Sequence, residues 1–206
     1  MDLSHPANDL FGASTARVLQ RLSSVRDGLT GRRLSQLSEV SLGSTQRALA
    51  ELEDIGLVDA RPAGRAVIYS INRGHVLWAV VEAAFNASRQ VENLIVEIVQ
   101  RHQELDVTVA LYGSFVRGEA GRGSDLDVLV VWHSTLEDTV QAALLEELDE
   151  RVSRATGNRV EILDLTIHDL QRMAQAGDPL VASLRREAKT VSKGADLRTL
   201  LKAAAA

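Results

Sequence analysis

At 206 residues the chain is long for one small domain and comfortable for two compact ones, each able to bury a modest core. Its 45% hydrophobic and 25% charged content excludes a disordered or fibrous protein, and the absence of Cys excludes disulfides and thiolate metal sites. The net charge of −5 is unevenly divided: residues 1–73 carry nine Arg and eight acids, so the acidic excess lies in residues 74–206.

The N-terminus, MDLSHPANDL, has no basic segment followed by an apolar core. The apolar stretches VLWAVVEAAF and DVLVVW are too short to span a bilayer, so a cytoplasmic chain with no membrane partner is expected. Helical spacing begins at Thr15–Leu22, with Val18, Leu19 and Leu22 on one face. Thr30 reads as an N-cap for GRRLSQLSEV, and Ser41 or Ser44 as the cap of STQRALAELEDI. In that third helix Thr45, Ala48, Leu49, Leu52 and Ile55 repeat inward, and Gly56 stops it. LVDARPAGRAVIYSINR then alternates as two strands around Pro62-Ala63-Gly64, with Arg61 and Arg65 beside the tip.

Three helices and a hairpin with a basic tip are the order of a winged helix-turn-helix. Ser44, Thr45, Gln46 and Arg47 sit at the start of the expected recognition helix, where Gln and Arg are able to read base edges. Arg32, Arg33, Arg61 and Arg65 are candidates for phosphate contacts. The stretch RALAELEDIGLV followed by GRAVIYSINR resembles bacterial winged-helix transcriptional regulators. That resemblance implies binding to double-stranded DNA, usually as a homodimer.

Residues 75–104 keep an apolar stripe from Leu77 and Trp78 to Ile98 and Val99. As one helix they would span roughly 45 Å, with Asn86–Ser88 the natural break, and part of the stripe is a candidate dimer seam. The expected division is therefore a DNA-binding domain at 1–73, a linker or dimerisation helix at 74–104, and a second domain at 105–206.

The second half alternates strand and helix: DVTVALY, a short helix after Gly113-Ser114, DLDVLVVW, a long helix from about Thr135 to Ala155, RVEILDL, and helices from Ile167 onward. This is a small α/β or α+β domain. Residues i and i+2 of a strand share a face, so Asp125 and Asp127 present their carboxylates together while Leu126 and Val128 turn away. Such a pair invites a divalent cation. Upstream, Gly113-Ser114 closes a strand and opens a helix, a place for backbone N–H groups and a hydroxyl to hold phosphate. A hard cation with few carboxylates and several phosphate oxygens is what Mg²⁺ prefers. There is no GxxxxGK[ST], and Gly118, Gly121 and Gly123 do not make GxGxxG. The five His show no HxxxH or HExxH spacing, which disfavours zinc.

YGSFVRGEAGRGSDLDVLVV is similar to the DNA polymerase β-type nucleotidyltransferase superfamily, and in particular to its minimal members, over roughly residues 92–190. The resemblance implies a small mixed-sheet fold and transfer of a nucleoside monophosphate from a nucleoside triphosphate, ATP foremost, to an acceptor hydroxyl. It implies Mg²⁺ or Mn²⁺ on Asp125, Asp127 and a third acid, and phosphate binding by Gly113, Ser114 and Ser124, with Arg117 and Arg122 neutralising charge. RVEILDL offers two candidates for the third acid, Glu161, which is preferred, and Asp164 on the opposite strand face. Related minimal domains are implicated in toxin-antitoxin pairs, which makes a protein partner a candidate acceptor. The alternative is a transcriptional regulator whose nucleotidyltransferase-like domain only senses a nucleotide.

Overall fold

The structure is a computed structural model and describes residues 1–102, 104–134, 137–192 and 195–203. It divides into two units, His5–Ala87 and the combined segments Met1–Ser4 and Ser88–Ala206.

In the unit His5–Ala87, helices α1 (Ala7–Phe11) and α2 (Ala13–Ser23) precede strand β1 (Leu29–Thr30), then α3 (Gly31–Ser38), α4 (Leu42–Asp54), the hairpin β2 (Val58–Ala63) and β3 (Ala66–Ile71), and α5 (Trp78–Phe85). The Thr30 side chain accepts from the Arg33 N–H and caps α3; Ser41, not Ser44, caps α4 by accepting from the Ser44 N–H. Val18, Leu19 and Leu22 of α2, Leu34 of α3, and Leu49 and Leu52 of α4 meet Val58 and Trp78 in one core. The sheet order is β1-β3-β2, so Pro62 lies on an edge strand, where a missing N–H costs no ladder bond. Ala63 pairs with Ala66 across a two-residue turn, Gly64-Arg65, with Gly64 at φ +62°.

The expected long helix over 75–104 is two helices, α5 and α6 (Ala87–Arg101), interrupted at Asn86. There the Asn86 side-chain amide donates to the Glu82 carbonyl, competing with the helical ladder.

In the other unit α6 is followed by β4 (Val107–Leu111), α7 (Gly113–Arg117), β5 (Leu126–Trp132), α8 (Asp138–Thr156), β6 (Val160–Thr166), α9 (Ile167–Gln175), α10 (Pro179–Glu187), β7 (Lys189–Thr190) and α11 (Leu197–Ala203). Thr135, the expected start of the long helix, lies outside the described residues. The sheet order is β6-β5-β4-β7; β5 and β6 are parallel and the other pairs antiparallel, which makes the sheet mixed. One face is covered by Val91, Ile95 and Ile98 of α6 and by Leu144, Leu148 and Val152 of α8. The other carries Ala110, Leu129 and Val131 against Leu170, Val181, Leu184, Leu197 and Leu201.

This packing takes α6 out of the candidate dimer seam, because Ile95 is 0% exposed and belongs to the core of its own unit. The stripe on α6 is a sheet-covering face. Met1–Ser4 groups with Ser88–Ala206, and the two units meet in sequence at 87/88, where the sequence suggests a linker or dimerisation helix at 74–104. Leu3 is buried in the α6/α8 core, the Met1 amino group donates to the Thr156 carbonyl at 3.0 Å, and Ser4 and Ala120 exchange two hydrogen bonds.

Candidate functional site

Strand β4 ends at Leu111, and the chain turns sharply into α7 through Gly113 at φ +70°. The Tyr112 N–H donates to the Asp127 carbonyl at 3.2 Å, so the turn is stitched to the neighbouring strand at the acid itself. The approach is close enough that a Cβ on residue 113 would lie 2.8 Å from Asp127 Cγ. Only glycine fits both the dihedral and the space.

The loop after α7 brings the chain back to β5. The Ser124 hydroxyl accepts from the Gly121 N–H, and the Asn158 amide donates to the carbonyls of Ser124 and Met1. Asn158 is buried, so this clamp fixes the approach to Asp125. The structure thus gives the Ser124 side chain a loop-closing role. Arg122 is exposed, and its carbonyl accepts from Asn158.

Asp125 and Asp127 are both half-buried and flank the buried Leu126. In the parallel register Asp127 stands opposite Glu161, whereas Asp164 stands opposite Val130 on the other sheet face. The strand pleat therefore puts Asp125, Asp127 and Glu161 on one side. Their mutual repulsion is visible in Asp127, whose carboxyl is pushed above its ordinary range by burial first, then by Glu161 and Asp125. Arg117 pulls the other way. Its guanidinium donates to Glu119 at 2.8 Å and to Glu187 at 2.9 Å, and Glu187 also accepts from the Ser183 hydroxyl. Arg117, a phosphate-binding candidate from the motif, is thus already held by two acids, of which Glu187, 70 positions away in sequence, gives no local signal.

The donor set suits a hard cation, since every side chain in it is a carboxylate and the central one is destabilised as an anion by its neighbours. Among the described residues no three His, Cys, Asp or Glu side chains are gathered closely enough to hold a metal ion by themselves. His133 is occupied elsewhere: its ring Nε2 lies 2.9 Å from the Thr108 hydroxyl, at the far end of β5.

In the unit His5–Ala87, Gln46 and Arg47 are exposed on the first turns of α4, Ser44 is half-buried, and Arg61 and Arg65 are exposed on the hairpin. Thr45 is 0% exposed and its hydroxyl faces the Val40 carbonyl. It is corrected from a DNA-contact candidate to a core residue of α4, as its place in the apolar repeat requires.

Residues 92–188 match the family model described as a nucleotidyltransferase domain. Among solved structures, one described as "Crystal structure of the toxin-antitoxin with AMP-PNP" is similar at 23% identity and a TM-score of 0.37, covering 55% of this chain and 80% of that one. A search of curated proteins gives no match. Among the described residues no helix is long and apolar enough to cross a membrane.

Proposed function

We propose that the chain is a nucleotidyltransferase dependent on Mg²⁺ or Mn²⁺, which moves a nucleoside monophosphate from a nucleoside triphosphate, ATP first, to an acceptor hydroxyl: the acceptor oxygen bonds to the α-phosphorus, the bond to the β-phosphate breaks, and pyrophosphate leaves. The observation that carries this reading is the single row of acids, Asp127 on β5 directly opposite Glu161 on β6, inside the segment that matches the nucleotidyltransferase domain. Asp125 and Asp127 would hold the ion, with triphosphate oxygens supplying most of its remaining ligands. When bound, the ion neutralises phosphate charge and polarises the reacting phosphorus. Glu161, the exposed end of the row, takes the proton from the acceptor hydroxyl. Backbone N–H groups of Gly113 and Ser114, at the turn into α7, receive phosphate oxygens.

Incubation of the purified chain with Mg²⁺, each α-labelled nucleoside triphosphate in turn, and a cell lysate tests this. Label should appear on one macromolecular acceptor, a protein partner being the acceptor class that the sequence resemblance favours. No labelled acceptor and no triphosphate binding would reduce the site to a nucleotide-free relic.

We propose further that residues 5–87 bind double-stranded DNA as a winged helix-turn-helix, α4 entering the major groove and the hairpin tip touching the backbone. Exposed Gln46, Arg47, Arg61 and Arg65 support it. Arg47→Ala should weaken a specific site by about tenfold and leave nonspecific binding nearly intact in gel shifts. No duplex binding at low salt would end this reading. A homodimer remains part of the proposal, with its seam on the outer face of α5 and the residues before it. Val76 at 84% exposure, Leu77 at 43% and Val80 at 54% are aliphatics that their own unit leaves uncovered. Light scattering of the wild type reads the oligomeric state directly, and a monomer at tens of micromolar would remove the seam.

A further inference from the structure

We propose that Tyr112 is a triphosphate-binding residue, its phenol hydroxyl donating a hydrogen bond to an oxygen of the nucleotide. This deepens the nucleotidyltransferase reading and rests on it.

The sheet register places Tyr112. Leu111 pairs with Val128 across the antiparallel β4/β5 ladder, and the Tyr112 N–H continues that ladder to the Asp127 carbonyl. Tyr112 therefore stands beside Asp127, and Asp127 beside Glu161. Cross-strand neighbours share a face, so the three side chains form one transverse row, with neighbouring strands about 4.8 Å apart. Burial first, then the charges of Asp127 and Glu161, hold the phenol above its ordinary value.

The row has two ends. Glu161 closes it on the β6 side, the side given to the acceptor. Tyr112 closes it on the β4 side, where the chain passes directly into Gly113-Ser114, the turn given to phosphate. A group at Tyr112 consequently meets the nucleotide and not the acceptor.

Its chemistry is what this end lacks. A triphosphate brought next to carboxylates needs donors, and Arg117, whose charge reaches Asp127, is already hydrogen-bonded to Glu119 and Glu187. Tyr112 supplies a neutral donor that does not repel phosphate. It is only half-buried, and its ring packs on the Ala110, Leu129 and Val131 side of the sheet. That packing needs an aromatic ring and no hydroxyl; Phe would serve it equally. Among the described residues the oxygen is the part of the side chain that the packing does not use.

Tyr112→Phe separates the two. Binding of Mg²⁺ with α,β-methylene-ATP, measured by calorimetry, should weaken about ten- to a hundredfold, the usual worth of a hydrogen bond to a charged group. With ATP, KM should rise by a similar factor while kcat stays within about threefold, and the melting temperature should not move. Wild-type affinity in Tyr112→Phe would overturn the assignment, and so would a fall in kcat at unchanged affinity, which would put the hydroxyl on the acceptor side. A wild-type chain that binds no analogue at all would sink the nucleotidyltransferase reading itself, and this inference with it.

Discussion

Asp127→Asn is expected to abolish magnesium-dependent triphosphate binding and reduce label transfer by more than about 100-fold, while the apo protein melts at the wild-type temperature or above it. The two effects have one cause. Asp127 is half-buried between Asp125 and Glu161, and burial followed by those two charges raises its pKa in the folded state. The unfolded chain loses the burial and the Glu161 contact and ionises closer to the ordinary aspartate value. As pH rises from that value through the raised folded one, the native state still holds a proton that the unfolded state has lost, so stability falls across the window. At neutral pH the ionised Asp127 is therefore a destabilising group, which a bound cation would relieve. The amide removes the repulsion and the ligand together. The melting-temperature difference between Asp127→Asn and wild type should shrink as pH is lowered into the carboxylate range, where the wild type regains its proton. An apo variant that unfolds, or one that transfers label at the wild-type rate, would make the pair structural.

The chemistry was legible where it is local. GSFVRGEAGRGSDLD holds its turn glycine, its loop and its acids within 15 residues, and alternation alone assigns Asp125 and Asp127 to one face. The choice between Glu161 and Asp164 also begins in the pleat, but it needs the β5/β6 register to decide which acid stands beside Asp127. What sequence could not give is contact between distant segments. The Glu187 partner of Arg117, the Asn158 clamp on the loop before β5, and the return of Met1–Ser4 to the α8/β6 corner all depend on tertiary packing. The apolar stripe on α6 announced burial correctly, yet a helical period reports that a face is covered and never by what; here the cover is its own sheet. Strands β1 and β7, of two residues each, are too short to carry a period at all.

Gly113→Ala carries the second large effect, reached without touching a carboxylate. Residue 113 sits at φ +70°, where any Cβ is strained by about 1 kcal/mol. The added methyl would also lie 2.8 Å from Asp127 Cγ and 3.3 Å from its Cβ, against a side chain rooted in the buried strand β5. The strand is held on both sides by β4 and β6, so the carboxylate or the start of α7 must yield. Overpacking of this kind costs about 1–3 kcal/mol more, and a displacement of even 1 Å at the reacting end is enough to cost about 100-fold in rate. Transfer should thus collapse with all three acids still present, and melting should fall by several degrees. The clash and the dihedral strain are separable through a double-mutant cycle with Asp127→Gly, which removes the atoms that the methyl meets. In that background Gly113→Ala should cost only the left-handed strain, about 1 kcal/mol, so the two changes will be strongly non-additive. Additive losses would mean that residue 113 and Asp127 do not press on each other, and that the glycine serves the turn alone.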